Sequence, residues 1–233
     1  SSNKETVQYL KYFKLKNIKF IGNLKFSEKK REKIAIPKKI KNFFSKKVYW
    51  CAGSTHRGEE EYCIKAHKEL KKKYENLVSI IIPRHINRKY EIISLLKDNN
   101  LNFHCHSWKK NILNSTEIYL VDTYGETSLF YKLSKIIFMG GSLVNHGGQN
   151  PLEASRLGCK IIHGPNINNF RDIYKLLQKL NISKKVNTNK NLTNNIKENI
   201  QAKLSSNSII KKIEFIGIKI KELTLKELNQ ILN

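Results

Sequence analysis

The chain has 233 residues, enough to bury a substantial core and few enough to favour one large domain, or one with appendages, over three. Lysine and arginine total 44 against 19 aspartate and glutamate, and the net charge of +25 favours anionic partners such as nucleic acid, acidic membrane or phosphorylated ligands, although the abundance of Lys, Asn and Ile throughout makes biased nucleotide composition an equally good source of the charge. No apolar stretch approaches the roughly 20 residues of a membrane-spanning helix and no charged-then-apolar leader opens the chain, so the sequence reads as soluble or peripheral.

Over the first 47 residues the pattern is weak. A short helix is expected near Val7 to Phe13, followed by an apolar run from Ile18 to Ile21. The lysine-rich stretch from Lys29 to Lys47 reads as a connector. From Val48 onward, short apolar β-branched runs alternate with amphipathic segments of helical length, which is the pattern of βαβ units and a parallel sheet. Strands are predicted from Val48 to Ala52, Val78 to Pro83, Asn102 to His106, Ile118 to Val121, Lys135 to Met139 and Lys160 to His163. The helical segment from Arg57 to Tyr74 starts with Glu59, Glu60 and Glu61 and ends with Lys68, Lys71, Lys72 and Lys73, an order that complements a helix dipole. Beyond Leu180 the chain becomes Asn- and Lys-rich, with amphipathic helices around Leu192 to Leu204 and Ile209 to Leu232. The expected architecture is a Rossmann-like, doubly wound parallel α/β domain over residues 48–180, preceded by a connector at 1–47 and followed by a helical segment at 181–233.

The four cysteines, Cys51, Cys63, Cys105 and Cys159, form no CxxC pair and read as reduced thiols. His104, Cys105 and His106 lie on a predicted strand, where neighbours point to opposite faces, and no second ligand pair follows at zinc spacing, so structural roles are expected there.

Chemistry concentrates where strands end. After Phe138 comes Gly140-Gly141-Ser142, then His146-Gly147-Gly148-Gln149, then Asn150-Pro151-Leu152-Glu153 opening a helix. Glycines permit close approach of a ligand to the backbone, Pro151 suits a first helical turn, and the free amides there form an anion site for a phosphate. Glu153, one turn in, is placed to accept hydrogen bonds from a ribose diol. The bland alternative is a glycine-rich loop capped by Asn150. A second junction, Asp122-Thr123-Tyr124-Gly125-Glu126, offers backbone access at Gly125 and an acceptor at Glu126, although an ordinary turn explains it equally well in isolation. A third, Ile82-Pro83-Arg84-His85, brings a guanidinium suited to bidentate phosphate contact. His85 beside it reads as a structural hydrogen-bonding group before a proton donor. The fourth, Ser54-Thr55-His56-Arg57-Gly58-Glu59-Glu60, carries carboxylates that argue against a second bound anion and for helix capping.

A dinucleotide GxGxxG, a GxxxxGK[ST] phosphate loop, a GxSxG elbow, an HExxH helix and an aspartate-rich metal cluster are all missing from the sequence. Metal-free transfer from an activated sugar fits what remains. In order, Ser54-Thr55-His56 with Gly58-Glu59-Glu60, Pro83-Arg84-His85, Asp122-Thr123 with Gly125-Glu126, Gly140-Gly141-Ser142-Leu143, and Gly147-Gly148 with Asn150-Pro151-Leu152-Glu153 resemble the family of 3-deoxy-D-manno-octulosonic acid (Kdo) transferases. Gly164-Pro165, Asn169-Phe170, Asp172-Ile173 and the segment Gly22 to Phe26 extend the resemblance over roughly residues 15 to 180.

The resemblance implies the C-terminal domain of a GT-B glycosyltransferase, with CMP-Kdo as donor, a lipid A precursor (lipid IVA) as acceptor, no metal and no other cofactor. It places CMP contacts on Pro83, Arg84, Tyr124, Gly125, Glu126, Asn150, Pro151, Leu152 and Glu153, and a transition-state stabiliser on Lys25. Methionine is usual in the family at the position of Tyr124, so a backbone contact is expected there. The family's catalytic glutamate lies in an N-terminal domain that this sequence does not contain; that half is a candidate partner in trans. A peripheral place on the cytoplasmic face of the bacterial inner membrane is implied, its anionic surface matched by the basic chain. The rival readings are a GT-B transferase or epimerase using a UDP-sugar, a non-catalytic remnant that binds the missing domain, and a nucleic-acid-binding module. The last lacks a reader motif and basic residues interleaved with aromatics, so nucleic acid is not expected as a partner.

Overall fold

The computed structural model describes residues 4–16, 18–28, 34–202 and 205–232. The first part of the lysine-rich stretch, Lys29 to Lys33, and the last residue of one predicted helix, Leu204, lie outside the described residues. Helix α1 (Lys4–Tyr12) and a 3-10 turn (Leu24–Ser27) precede α2 (Lys38–Phe44). The alternating part follows as β1 (Val48–Thr55), α3 (Glu59–Lys71), β2 (Leu77–Pro83), α4 (Lys89–Asp98), β3 (Phe103–Cys105), β4 (Ile118–Leu120), α5 (Thr127–Ser134), β5 (Ile136–Met139), α6 (Leu152–Arg156), β6 (Lys160–His163), α7 (Arg171–Lys179) and β7 (Ser183–Lys185). Helices α8 (Asn189–Gln201) and α9 (Ser206–Leu232) close the chain.

All neighbouring strands pair in parallel, in the order β3-β4-β2-β1-β5-β6-β7. A parallel sheet covered by helices on both faces needs strands that are apolar on both sides, and β2 is buried at every position. Alternate residues feed two cores. Val78, Ile80 and Ile82 join the cluster that contains Cys51, Phe130 and Tyr174, whereas Leu77 and Ile81 join Trp50, Ala52 and Phe138 on the other face. Fully burying each of these aliphatic chains contributes about 1.5–3 kcal/mol.

The elements differ most from the sequence reading in three places. Strand β1 runs on through Thr55, past a register shift between Gly53 and Thr55. The three-residue edge strand β7 was not expected. The stretch read as a connector contains α2, whose Ile40 and Phe44 are buried in the main core with Phe26. From the far end of the chain Ile209, Ile213 and Ile220 of α9 enter the same core, so these flanking segments pack on the sheet. All four cysteines are free and buried.

Candidate functional site

Because the strands run in one direction, the loops after β1, β2, β4 and β5 meet at one edge. The chain leaves β1 for β2, β4 and β3 on one side and builds β5, β6 and β7 on the other. The order therefore reverses between β1 and β5, where open α/β sheets leave a crevice outside the strand ends.

The glycine-rich loop after β5 differs from the sequence reading in its partner. Its amides face a carboxylate of the chain itself. Glu59 Oε2 accepts from Gly141 N at 2.6 Å and His56 N at 3.0 Å, and Oε1 accepts from Ser142 N at 3.0 Å and Leu143 N at 2.9 Å. Glu59 is fully buried; burial pushes its pKa up while the four donors oppose that shift. Gly140 is required by close packing, since a Cβ there would lie 2.3 Å from the Ser54 carbonyl oxygen. The neighbouring Glu60, also buried, receives Arg88 in a two-pronged pair at 2.9 and 3.0 Å and the Thr55 hydroxyl at 2.7 Å. The first-turn acids of α3 therefore tie loops together, and the capping role expected of them is limited to the His56 amide.

The anion site expected at residues 150–153 is likewise reduced. Helix α6 has five residues, with Pro151 just before it, and the Leu152 amide is already taken by Asn150 Oδ1 at 3.0 Å. Asn150 is exposed, and Pro151 and Leu152 are buried. Glu153 is half-buried and accepts from the Ser128 hydroxyl, which links the start of α5, just past the loop after β4, to the start of α6. In that β4 loop Tyr124 is 73% exposed, and Gly125 has a φ of +85° with nothing within 4 Å of a Cβ placed on it, so its backbone is open to a ligand. Glu126 has one oxygen, Oε2, held by both the Thr123 hydroxyl and His106 Nε2, the latter at 2.8 Å, while His106 Nδ1 meets the Tyr119 hydroxyl at 2.8 Å. His106 thus orients Glu126, a role that emerges only from the fold.

Pro83 is buried at the end of β2 and pairs with Thr55. Arg84 donates its backbone N–H to the Thr55 carbonyl at 3.0 Å and carries an exposed guanidinium, which makes no side-chain hydrogen bond or ion pair among the described residues. Lys25 is exposed on the 3-10 turn and shares a cleft with Asn168, Asn169 and Asp172. Asn169 in turn donates its amide to the Gly147 carbonyl at 3.0 Å, which brings Lys25 to the same edge of the sheet as the second glycine pair.

Three histidines also gather here. The rings of His56 and His146 are 3.8 Å apart and those of His56 and His85 are 6.0 Å apart. His56 Nε2 faces the Gln149 amide nitrogen at 3.0 Å, and the Gln149 carbonyl accepts from the buried Tyr174 hydroxyl at 2.9 Å. Burial, with His146, His85, Arg88 and Arg84 nearby, lowers the His56 pKa to about 4, so it is neutral near pH 7. Among the described residues no three His, Cys, Asp or Glu side chains are arranged to hold a metal ion.

No family model matches the chain. Curated proteins do. It is 41% identical over 128 residues to the 3-deoxy-D-manno-octulosonic acid transferase of Haemophilus influenzae, covering 55% of this chain and 30% of that protein. It is 34% identical over 177 residues to the protein of the same name in Aquifex aeolicus, covering 75% of this chain and 46% of that one. The chain thus spans less than half the length of these relatives. Among solved structures it matches the C-terminal CMP-Kdo binding domain of WaaA from Acinetobacter baumannii with a TM-score of 0.64 and 26% identity, over 78% of this chain and 91% of that domain. Its seven-stranded parallel sheet is that of a GT-B C-terminal domain, and in sequence and fold the chain belongs with the C-terminal half of the Kdo transferase family.

Proposed function

We propose that the chain holds CMP-Kdo in the crevice at the strand ends and is the donor-binding half of an enzyme that transfers Kdo to a lipid A precursor. The observation that carries this reading is the placement of Arg84, of Gly125 with Glu126, and of Glu153 past the ends of β2, β4 and β5, all on one edge of the sheet. Arg84 meets the phosphate with its unpaired guanidinium. Glu153, steadied by Ser128, accepts from the ribose hydroxyls, and the open backbone at Tyr124 to Glu126 meets the base. Asn150, Pro151 and Leu152 form the wall that holds Glu153 in place. In the reaction an acceptor hydroxyl attacks the anomeric carbon of Kdo and the bond to the CMP phosphate oxygen breaks. Arg84 and Lys25 stabilise the charge that develops on the departing phosphate. The base that takes the hydroxyl proton is contributed by the other half of the family's architecture. No described helix is long and apolar enough to cross a membrane, and in this reading the basic surface holds the chain peripherally against the anionic inner-membrane face where the acceptor resides.

Calorimetric titration with CMP, UMP and AMP tests the site. CMP is expected to bind selectively, and Arg84→Ala and Glu153→Ala are each expected to weaken it about tenfold, the loss of one charge-assisted contact. Equal, salt-sensitive binding of all three nucleotides would overturn the reading.

A further inference from the structure

We propose that His85 and His146, with His56 behind them, form a subsite for the carboxylate of the donor sugar; this rests on the CMP-Kdo reading above. An octulosonic acid joined to a phosphate through its anomeric carbon carries its carboxylate on that same carbon, so the donor presents two anions a few bonds apart. A site for it needs two adjacent anion receptors. Arg84 is one. The next residue, His85, is exposed and turns toward His56, whose other side is covered by His146. The Gln149 side-chain nitrogen lies 3.0 Å from His56 Nε2, and the Gln149 backbone carbonyl accepts from the Tyr174 hydroxyl, so the segment facing His56 is anchored.

Among the described residues, the carboxylates of Glu59, Glu60 and Glu91 are already engaged by the chain's own donors: Glu59 by four backbone N–H groups, Glu60 by Arg88 and Thr55, and Glu91 by Arg57 and Arg88. The Arg84 guanidinium makes no side-chain hydrogen bond or ion pair among the described residues, and His85, the next residue, and His146 both lie against His56 with ring nitrogens that can donate. A metal does not suit the cluster, because His56 and His146 lie 3.8 Å apart with planes tilted by 39° and overlap as rings instead of converging on a point.

The test is calorimetric titration of the whole chain with CMP, with CMP-Kdo and with the methyl ester of CMP-Kdo, in the wild type, His85→Gln and His146→Gln. The expected result is CMP-Kdo binding about tenfold tighter than CMP, the ester losing that advantage, and each variant shrinking the ratio of the two affinities at least threefold, as removal of a charge-assisted hydrogen bond requires. Unchanged ratios in both variants, or an ester that binds as tightly as the acid, would overturn the subsite while leaving the nucleotide site standing. Failure of CMP itself to bind would instead remove the reading on which the subsite rests. Both histidines are exposed, so folding of the variants is checked simply, by their thermal transitions.

Discussion

Replacing Glu59 by glutamine changes one oxygen to an amide nitrogen and alters little else, and the structure predicts a large response. Each carboxylate oxygen accepts two backbone N–H groups, so whichever oxygen is replaced, two N–H donors face an NH2 instead of an acceptor. A buried donor left without a partner costs about 1–3 kcal/mol. Part of that cost is relieved by removing a buried charge, so a net loss of about 3 kcal/mol is expected for Glu59→Gln. For a chain of this length that lowers the midpoint of thermal unfolding by about 6–12 °C. Urea unfolding followed by tryptophan fluorescence should show the midpoint move with the slope unchanged, since Trp50 lies in the core beside β2. Glu59→Asp, which keeps the charge but is one methylene short, should fall between the two. A Glu59→Gln protein within about 0.5 kcal/mol of wild type would refute the claim that this carboxylate holds the loop after β5.

Acid should destabilise the fold well before its carboxylates titrate. Burial lowers the pKa values of His56, His67 and His163 to about 4, against an unfolded value of 6.5. Between those values the unfolded chain binds more protons, so the stability these neutral histidines allow is complete above pH 6.5 and is lost as pH falls toward 4. At ~1.4 kcal/mol per unit, His67 and His163, both fully buried, give up about 3 kcal/mol each. Urea midpoints measured from pH 7 to 4.5 should fall steadily, and His67→Gln, which keeps a partner for Ser79, should flatten the curve; a flat wild-type profile would rule the mechanism out. Binding to anionic lipid vesicles should weaken at least tenfold between ~50 mM and ~500 mM salt, as a +25 surface requires, and salt-independent binding would point to apolar insertion instead.

The sheet was legible where burial on both faces gives a strand a run of adjacent apolar residues, as at Ile80 to Ile82 in β2 and Ile161 to Ile162 in β6. It was not legible at β7, whose sequence Ser-Lys-Lys lies at the sheet edge with both lysines exposed. Helix α2 was hidden because Ile40 and Phe44, four apart and both buried, stand in a lysine run that dominates its composition. The positions of Arg84, Glu126 and Glu153 past the ends of β2, β4 and β5 were readable because each follows a recognisable strand. Glu59 was not, because an acid in the first turn of a helix already has a sufficient local explanation, and its real partners are 82 to 84 residues away. His106 was hidden similarly: it lies just beyond the short strand β3, and only pairing with β4 brings it to Glu126.

The filled cradle also bears on which donor the crevice suits. Successive backbone N–H groups after a strand form a receptor that can take a phosphate. Here Glu59 occupies it with a charge of the same sign, and the Leu152 amide is capped by Asn150. The principal receptors left at this edge are the side chains of Arg84 and Lys25. A donor with one phosphate needs fewer receptors than a nucleoside diphosphate sugar, whose second phosphate would approach the Glu59 carboxylate behind the loop. CDP should therefore bind no tighter than CMP, although its extra charge would favour it on any generally basic surface. Glu59→Gln should narrow the difference by removing the repulsion. CDP binding tenfold tighter than CMP would show that the net charge of the chain, and not the occupation of the amide receptor by Glu59, governs anion choice.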